Sequence, residues 1–535
     1  MARPDGSIVR CHGPRRAFAA AVAGLVLVIA CGPPVPAIVV EVDPVAAEVL
    51  RGGAVAVTVT VTRQGGAADP VALAALGLPA HVVATFSPAT LAGTVVTSTL
   101  TLEASATAAE GAAAVTVVGT MGALTDDASL ALDVRSLRVD GRVLTIVGTP
   151  LPAIGVSSQG GAASSGADGS FRLDGLSLPY DLTLASDAGT GGMHVYEGLT
   201  TPTPVVVPQF TADPGPGTPT RTANLDGSIL GGGPVALDHV AVVCVEGQDF
   251  AVRGCDRLAS GDTHYALAAT WLGTPVEAAV RVHALYFERD TNGLPSAYRG
   301  YGSVDGVLSD GVPLTFDVAL EPVPTTRLQG AVALPAGMTL VTLQGFARFG
   351  PNLTLMVFLT PFVGSPFDVL MPALPGMTYD VVAVASAGGT SSSLAWLRGA
   401  DHDAGTLSVP IPPSLVTPAP GATNVDFATP FAATDTGGVR TFLWNPTVGG
   451  PQVALTTARS SVTIPDPARV GLPFAAGASG EWTVFGLGVD DVDGAGTRGL
   501  LAYYALMAAP TAGGPGVDGD GSLTTSAIQG FQFAP

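Results

Sequence analysis

The chain has 535 residues, room for several domains of about 100–150 residues each. Its formal charge is −20 and its basic residues are all arginine; a chain this acidic repels phosphate backbones, which argues against nucleic acid as a partner. With 69 glycines, 44 prolines and 6% aromatics, it stops short of the ~25–30% Gly and Pro of low-complexity disorder, and its cores must be aliphatic.

Residues 1–30 read as an export signal. Arg15 and Arg16 precede a run of 14 mostly apolar residues, Ala17 to Ala30, that stops at Cys31. A positive flank, a short apolar core and small residues at the cut are the layout of such a signal. The run is too short to span a bilayer, which takes ~20 residues. The ending Val28-Ile29-Ala30-Cys31 resembles the bacterial lipobox, which implies that Cys31 is lipidated and becomes the mature N-terminus. Gly32 follows the cysteine in place of aspartate, which in that pattern favours the outer membrane of the cell envelope. Arg15-Arg16-Ala17-Phe18 also resembles a twin-arginine export motif, so the export route stays open between that and the general one.

Residues 33–135 form module one, a spacer at 33–37 followed by a β-sandwich at 38–135. Val55 to Thr62 alternates apolar residues with alanine or threonine, the period of a half-buried strand. Leu78-Pro79-Ala80, Val83 to Ala89, Arg51-Gly52-Gly53 and Val115 to Thr120 give this stretch a resemblance to Ig-like modules of bacterial surface proteins. By itself Asp69 to Leu76 reads as a short helix; the resemblance makes it a strand.

An internal repeat occupies residues 137–412. Phe171-Arg-Leu173, Leu178-Pro179-Tyr180-Asp181-Leu182 and Ala185-Ser186 return as Phe367-Asp-Val369, Leu374-Pro375, Tyr379-Asp380-Val381 and Ala385-Ser386. Each copy opens alike, at Val139-Asp-Gly141 and Leu328-Gln-Gly330, and continues to an aromatic before glycine, Tyr196 before Gly198 and Trp396 before Gly399. A divergent middle copy opens at Leu225-Asp-Gly227. The pattern resembles carboxypeptidase regulatory-like (transthyretin-like) β-sandwiches. The resemblance implies that the glycine closes the first strand's turn and that the later aromatic packs inward. It divides the stretch into module two (137–211), module three (222–322) and module four (325–412), with Pro/Gly-rich linkers between them.

Residues 414–512 are module five. Pro418-Ala-Pro420-Gly421 and Glu481-Trp482-Thr-Val484 resemble a fibronectin-III or Ig-like sandwich with Trp482 in its core. Residues 513–535 read as a mobile tail with an edge strand at Phe531 to Phe533. The expected fold class is therefore all-β: a tandem array of about five antiparallel β-sandwich modules behind a lipoprotein signal.

Candidate chemistry is sparse. Seven histidines (His12, His81, His194, His239, His264, His283, His402) show no zinc-ligand spacing, and no nucleophile elbow or phosphate loop is present. Ser157 and Ser158 read as plain loop. No catalytic residue is nominated, and the chain is expected not to be an enzyme. Asp490, Asp491 and Asp493 are candidate calcium ligands, with Asp290-Thr-Asn292-Gly293 and Asp518-Gly-Asp520 behind them. None supplies the glutamate at position twelve of a calcium loop, and turn chemistry is the favoured reading. Otherwise no cofactor is expected. Trp271, Trp396, Tyr298 and Tyr301 read as core, with sugar stacking as the alternative. Once Cys11 leaves and Cys31 is lipidated, Cys244 and Cys255 remain; a hairpin at 242–252 would bring them within bridging distance.

These readings point to a lipid-anchored envelope protein of adhesion, display or scaffolding, with the membrane and a protein or glycan ligand as partners. Carbohydrate or peptidoglycan binding, and service as an accessory subunit of an envelope enzyme or transporter, are the alternatives.

Overall fold

The computed structural model describes residues 36–534, apart from 67, 147, 160, 187–190, 211–218, 249–251, 273–274, 351–352, 361–364, 435, 448–449, 473–474 and 502–519. Cys31 and the signal lie outside the described residues. The fold is all-β and built as a series of sandwiches.

Alternation dictates module one. In Ala54–Gln64, Val57, Val59 and Val61 point into the core while Thr58 and Thr62 face water. Its sheet runs Ala37–Asp43, Ala54–Gln64, Thr97–Ala104, Val82–Ser87. The facing sheet runs Ala46–Leu50, Leu124–Arg135, Gly111–Met121, Val71–Leu76, Thr90–Leu91. Ala46–Leu50 pairs parallel with Leu124–Arg135, so the chain switches sheets after its first strand. Val71–Leu76 is a strand. The core between the sheets is aliphatic, from Ile38 to Val134, apart from Met121; each buried Val or Leu is worth ~1.5–3 kcal/mol.

Modules two to five each pack one sheet against another, and in modules two and four a three-stranded sheet faces a larger one. In module two, Ser170–Leu176, Leu137–Val143 and Val205–Val206 face Gly161–Ser164, Gly155–Ser158, Tyr180–Ser186 and Gly192–Leu199. In module four, Phe367–Pro372, Thr325–Ala333 and Asp403–Ser408 face Ser391–Ala400, Thr378–Gly388, Thr339–Gly350 and Leu353–Thr360. Module three packs Val252–Arg253, His264–Leu272 and Thr220–Leu230, the last flanked by Leu314–Thr315 and Val318–Ala319, against Cys255–Arg257, His239–Gly247, Glu277–Arg289 and Pro295–Ser309. In module five, Leu415–Thr417, Pro430–Ala433 and Ser461–Thr463 face Gln452–Thr457, Arg440–Pro446 and Ser479–Gly486.

The repeat's signature residues have physical roles that differ in part from those expected. Gly141 and Gly330 do not close turns. Each sits within a strand opposite a phenylalanine, Phe171 and Phe367, whose ring lies where a Cβ would be. The aspartates after Tyr180 and Tyr379 lock a bulge. Asp181 accepts the Gly198 N–H at 2.9 Å and Asp380 the Gly399 N–H at 3.0 Å, at the register shifts between those strands and their neighbours. Tyr196 packs inward as expected. Trp396 does not: it lies in a separate cluster with Phe346, Val382 and Leu394, because the preceding strand's residues 381 and 382 face opposite sides.

The modules are not beads on a string. A 14-stranded sheet runs without a break from module two through module five to module four. Gly192–Leu199 pairs parallel with Gln452–Thr457. At the other side of module five, Gly521–Thr525 lies between Ser479–Gly486 and Ser391–Ala400. The tail read as mobile is therefore structural from residue 520 on. Gln529–Phe533 pairs with two strands of module five and buries Phe531 and Phe533 in its core, because that core offers apolar surface which a free tail would leave wet. Residues 513–519 lie outside the described set.

Module one joins module two at a close approach. The Leu178 N–H donates to the Arg51 carbonyl at 2.7 Å. Gly52, at φ +80°, has no Cβ to strike the Leu178 carbonyl, which would stand 1.6 Å away.

Candidate functional site

The joint between modules two and five holds buried polar groups, an ion pair and a concave surface. Strand pairing sets its geometry. Met193 and Val195 stand opposite Val453 and Leu455, and His194 and Tyr196 opposite Ala454 and Thr456. Side chains alternate across a sheet, so Met193 and Val195 extend the core of module five. Conversely, Val439, Leu487, Val489, Val492 and Ala495 of module five complete the core of module two. Each sandwich thus closes the end of the other.

Polar contacts seal the joint. His194 is fully buried. Its Nδ1 accepts the Gln209 N–H at 3.2 Å, and its Nε2 is 2.8 Å from Thr456 Oγ1. Thr456 in turn meets Thr441 Oγ1 at 2.7 Å. Burial drives the imidazole of His194 down to about 3, so it is neutral at ordinary pH. Asp493 accepts N–H groups of Thr200 and Thr201 at 2.8 and 3.1 Å. Arg459 pairs with Glu197 at the rim. Above the shared sheet lies an open groove of about 720 Å³, lined among others by Ser157, Thr183, Val195, Leu455, Arg459 and Arg469.

The three candidate calcium ligands do not fit a calcium site. Asp491 caps a short 3-10 helix at Val492–Gly494 and pairs with Arg498 at 2.8 Å. Burial pushes its carboxyl up, but Arg498 and the Gly494 N–H outweigh that and hold it below the usual range. Asp493 is spent on module two, and Asp490 is exposed. Among the described residues no group of three or more ligand side chains converges. Asp290 accepts the N–H groups of Asn292 and Leu294 in an ordinary turn, and Asp520 accepts that of Arg398. Asp518 lies outside the described residues.

Cys244 and Cys255 stand directly opposite in paired strands and are bonded, S–S 2.04 Å. The first strand runs on to Gly247, past the expected turn, because Glu246 is buried against His283. His283 joins Glu246 Oε2 at 3.0 Å and the Tyr301 hydroxyl at 2.8 Å. Tyr301 stacks on Phe349 of module four. This carboxylate–imidazole–phenol chain lies beside an apolar cluster shared by modules three and four. Nothing in the local sequence marks it; the alternation of Cys244 with Glu246 and of Arg281 with His283 was the one available signal. The four aromatics are turned to internal use. Trp271 donates to the Pro275 carbonyl, Tyr298 to that of Leu370, and Trp396 is buried. Ser157 and Ser158 lie on a strand, not a loop.

No family model matches the sequence, and no curated protein matches it. Solved structures show likenesses. Domains 5–6 of the S-layer protein SbsC are 14% identical over 52% of this chain and 99% of that one, TM-score 0.15. The I67–I69 fragment of the titin I-band is 11% identical over 54% and 98%, TM-score 0.14. The D1–D4 ectodomain of ICAM-5 is 10% identical over 84% and 95%, TM-score 0.13. With TM-scores this low, the fold assignment rests on the sheets described above.

Proposed function

We propose that this protein is a non-enzymatic, lipid-anchored scaffold of the cell envelope, tethered to the outer membrane through Cys31. Its modules are of Ig-like, carboxypeptidase regulatory-like and fibronectin-III-like type. The observation that best supports this reading is the 14-stranded sheet crossing three modules. Continuous hydrogen-bonded pairing fixes the modules' mutual orientation, which suits a body that displays or bears load. The burial of Trp271 and Trp396 removes the stacking face that the glycan-binding alternative needs. The histidines of the two buried polar clusters are spent on internal hydrogen bonds, His194 across the joint to Thr456 and His283 to Glu246 within module three.

Two measurements test the proposal. Intact-mass analysis is expected to show a chain starting at Cys31 with added lipid mass; a soluble product starting elsewhere sinks the anchor. Small-angle scattering from the delipidated chain is expected to show one fixed body. A profile of five independently moving modules would overturn the scaffold.

A further inference from the structure

His194 sits in the joint as a neutral group with every polar position used. The Gln209 N–H occupies Nδ1, so Nε2 carries the proton and donates to Thr456 Oγ1. The ring stacks on Tyr196, centroids 4.3 Å apart. Leu184 stands opposite it on the neighbouring strand. From module five it faces the hydroxyls of Thr456 and Thr441, and from its own module the main chain at Val207 and Gln209. Of these neighbours only Tyr196 titrates, and burial raises it. Among the described residues no charged side chain bears on His194: burial disfavours its protonation, and a main-chain interaction with Val207 opposes that. A second proton therefore has no counter-ion among the described residues and must evict the Gln209 N–H. Parting modules two and five removes Thr456 and the module-five side chains that cover this core, and returns the ring to water.

We infer that the joint between modules two and five is an acid-released latch, in which protonation of His194 parts the paired strands Gly192–Leu199 and Gln452–Thr457 while the sandwiches stay folded. The inference rests on the rigid-body reading above. The sign follows from linkage. The open form takes a proton near the ordinary histidine value of ~6.5, whereas the closed form takes one only near 3. Closure is at full strength above ~6.5 and weakens by up to about tenfold for each pH unit below it, until the closed form also protonates. The groove above the joint opens with it.

Spin labels on unnatural residues at positions 162 and 468 of the full chain, one on each module, read the distance directly. One narrow distance is expected at pH 7.5. A longer population should grow reversibly between pH 6 and 4, with the β circular dichroism unchanged. In His194→Gln the long population at pH 4.5 should stay at its pH 7.5 level. A wild-type distance unchanged down to pH 4, or a His194→Gln variant that opens like wild type, overturns the latch. Should that variant not fold, Thr456→Val removes the acceptor from Nε2 and must move the transition to higher pH; an unmoved transition also overturns it. A broad distance already present at pH 7.5 would instead refute the rigid body.

Discussion

Phe171 lies across Gly141, where an added Cβ would stand 2.3 Å from the ring's Cζ. The same close pairing recurs at Gly330 with Phe367 and at Gly480 with Phe531, and Gly227 faces Tyr265 in the divergent copy. A glycine opposite an aromatic lets the ring lie flat over the neighbouring strand and fill the core from one side. Gly521 repeats the device across a module boundary, with its Cβ position 2.4 Å from Trp396 Cζ2. Gly521→Val is expected to destabilise the body by about 1–3 kcal/mol through overpacking. Denaturant titration checks it, and an unshifted midpoint would contradict the packing argument. Asp493 makes the second case. Its carboxylate binds two backbone N–H groups of another module, so calcium has no free ligand set there. Melting curves in millimolar calcium and in chelator are expected to superimpose, since only a bound ion stabilises by linkage. Asp493→Ala should lower the melting temperature and the unfolding free energy, the latter by up to the ~1.5–3 kcal/mol of hydrogen bonds to a charged group.

The two C-terminal strands decide whether modules four and five hold together. Gly521–Thr525 is the bridge between their sheets, and Gln529–Phe533 completes the core of module five. Without residues 520–535, module five loses Phe531 and Phe533, and each lost buried aromatic costs ~3–5 kcal/mol. The truncated chain is expected to show new protease cleavage within 414–501 while module one stays resistant. Equal resistance throughout would show that the strands are dispensable. The tail's role was half legible. Phe531 and Phe533 alternate as an edge strand should, but their burial depends on a core that module five leaves open. The cysteine hairpin was legible because a strand, a turn and a returning strand lie between Cys244 and Cys255, 11 residues apart. Its neighbour Glu246 was not, because the partner His283 comes from another strand 37 residues away.

At the scale of the molecule, spatial order departs from chain order: module five sits between modules two and four. Its two cores are shared, with Met193 lent to module five and Val439, Leu487 and Val489 lent to module two. Sharing couples stabilities, since neither sandwich buries its full apolar surface without the other. Calorimetry of the full chain at neutral pH is expected to show modules two, four and five melting in one transition. Three separable transitions for them would contradict the shared sheet.

The sequence by itself determined the local structure: valine–threonine alternation for strands, the glycine and Tyr-Asp signatures for repeated sandwiches, and the hairpin that carries Cys244 and Cys255. These depend on residues a few positions apart, or on a repeat that displays itself. The joint was decided only by the tertiary structure. Gly192 to Tyr196 meets Gln452 to Thr456 across some 260 residues, and no periodicity within either strand names its partner. A strand edge is chemically the same backbone whether it ends a sheet or continues one. Which edges meet follows from the shape and apolar surface of whole modules, and so does the burial that leaves His194 neutral.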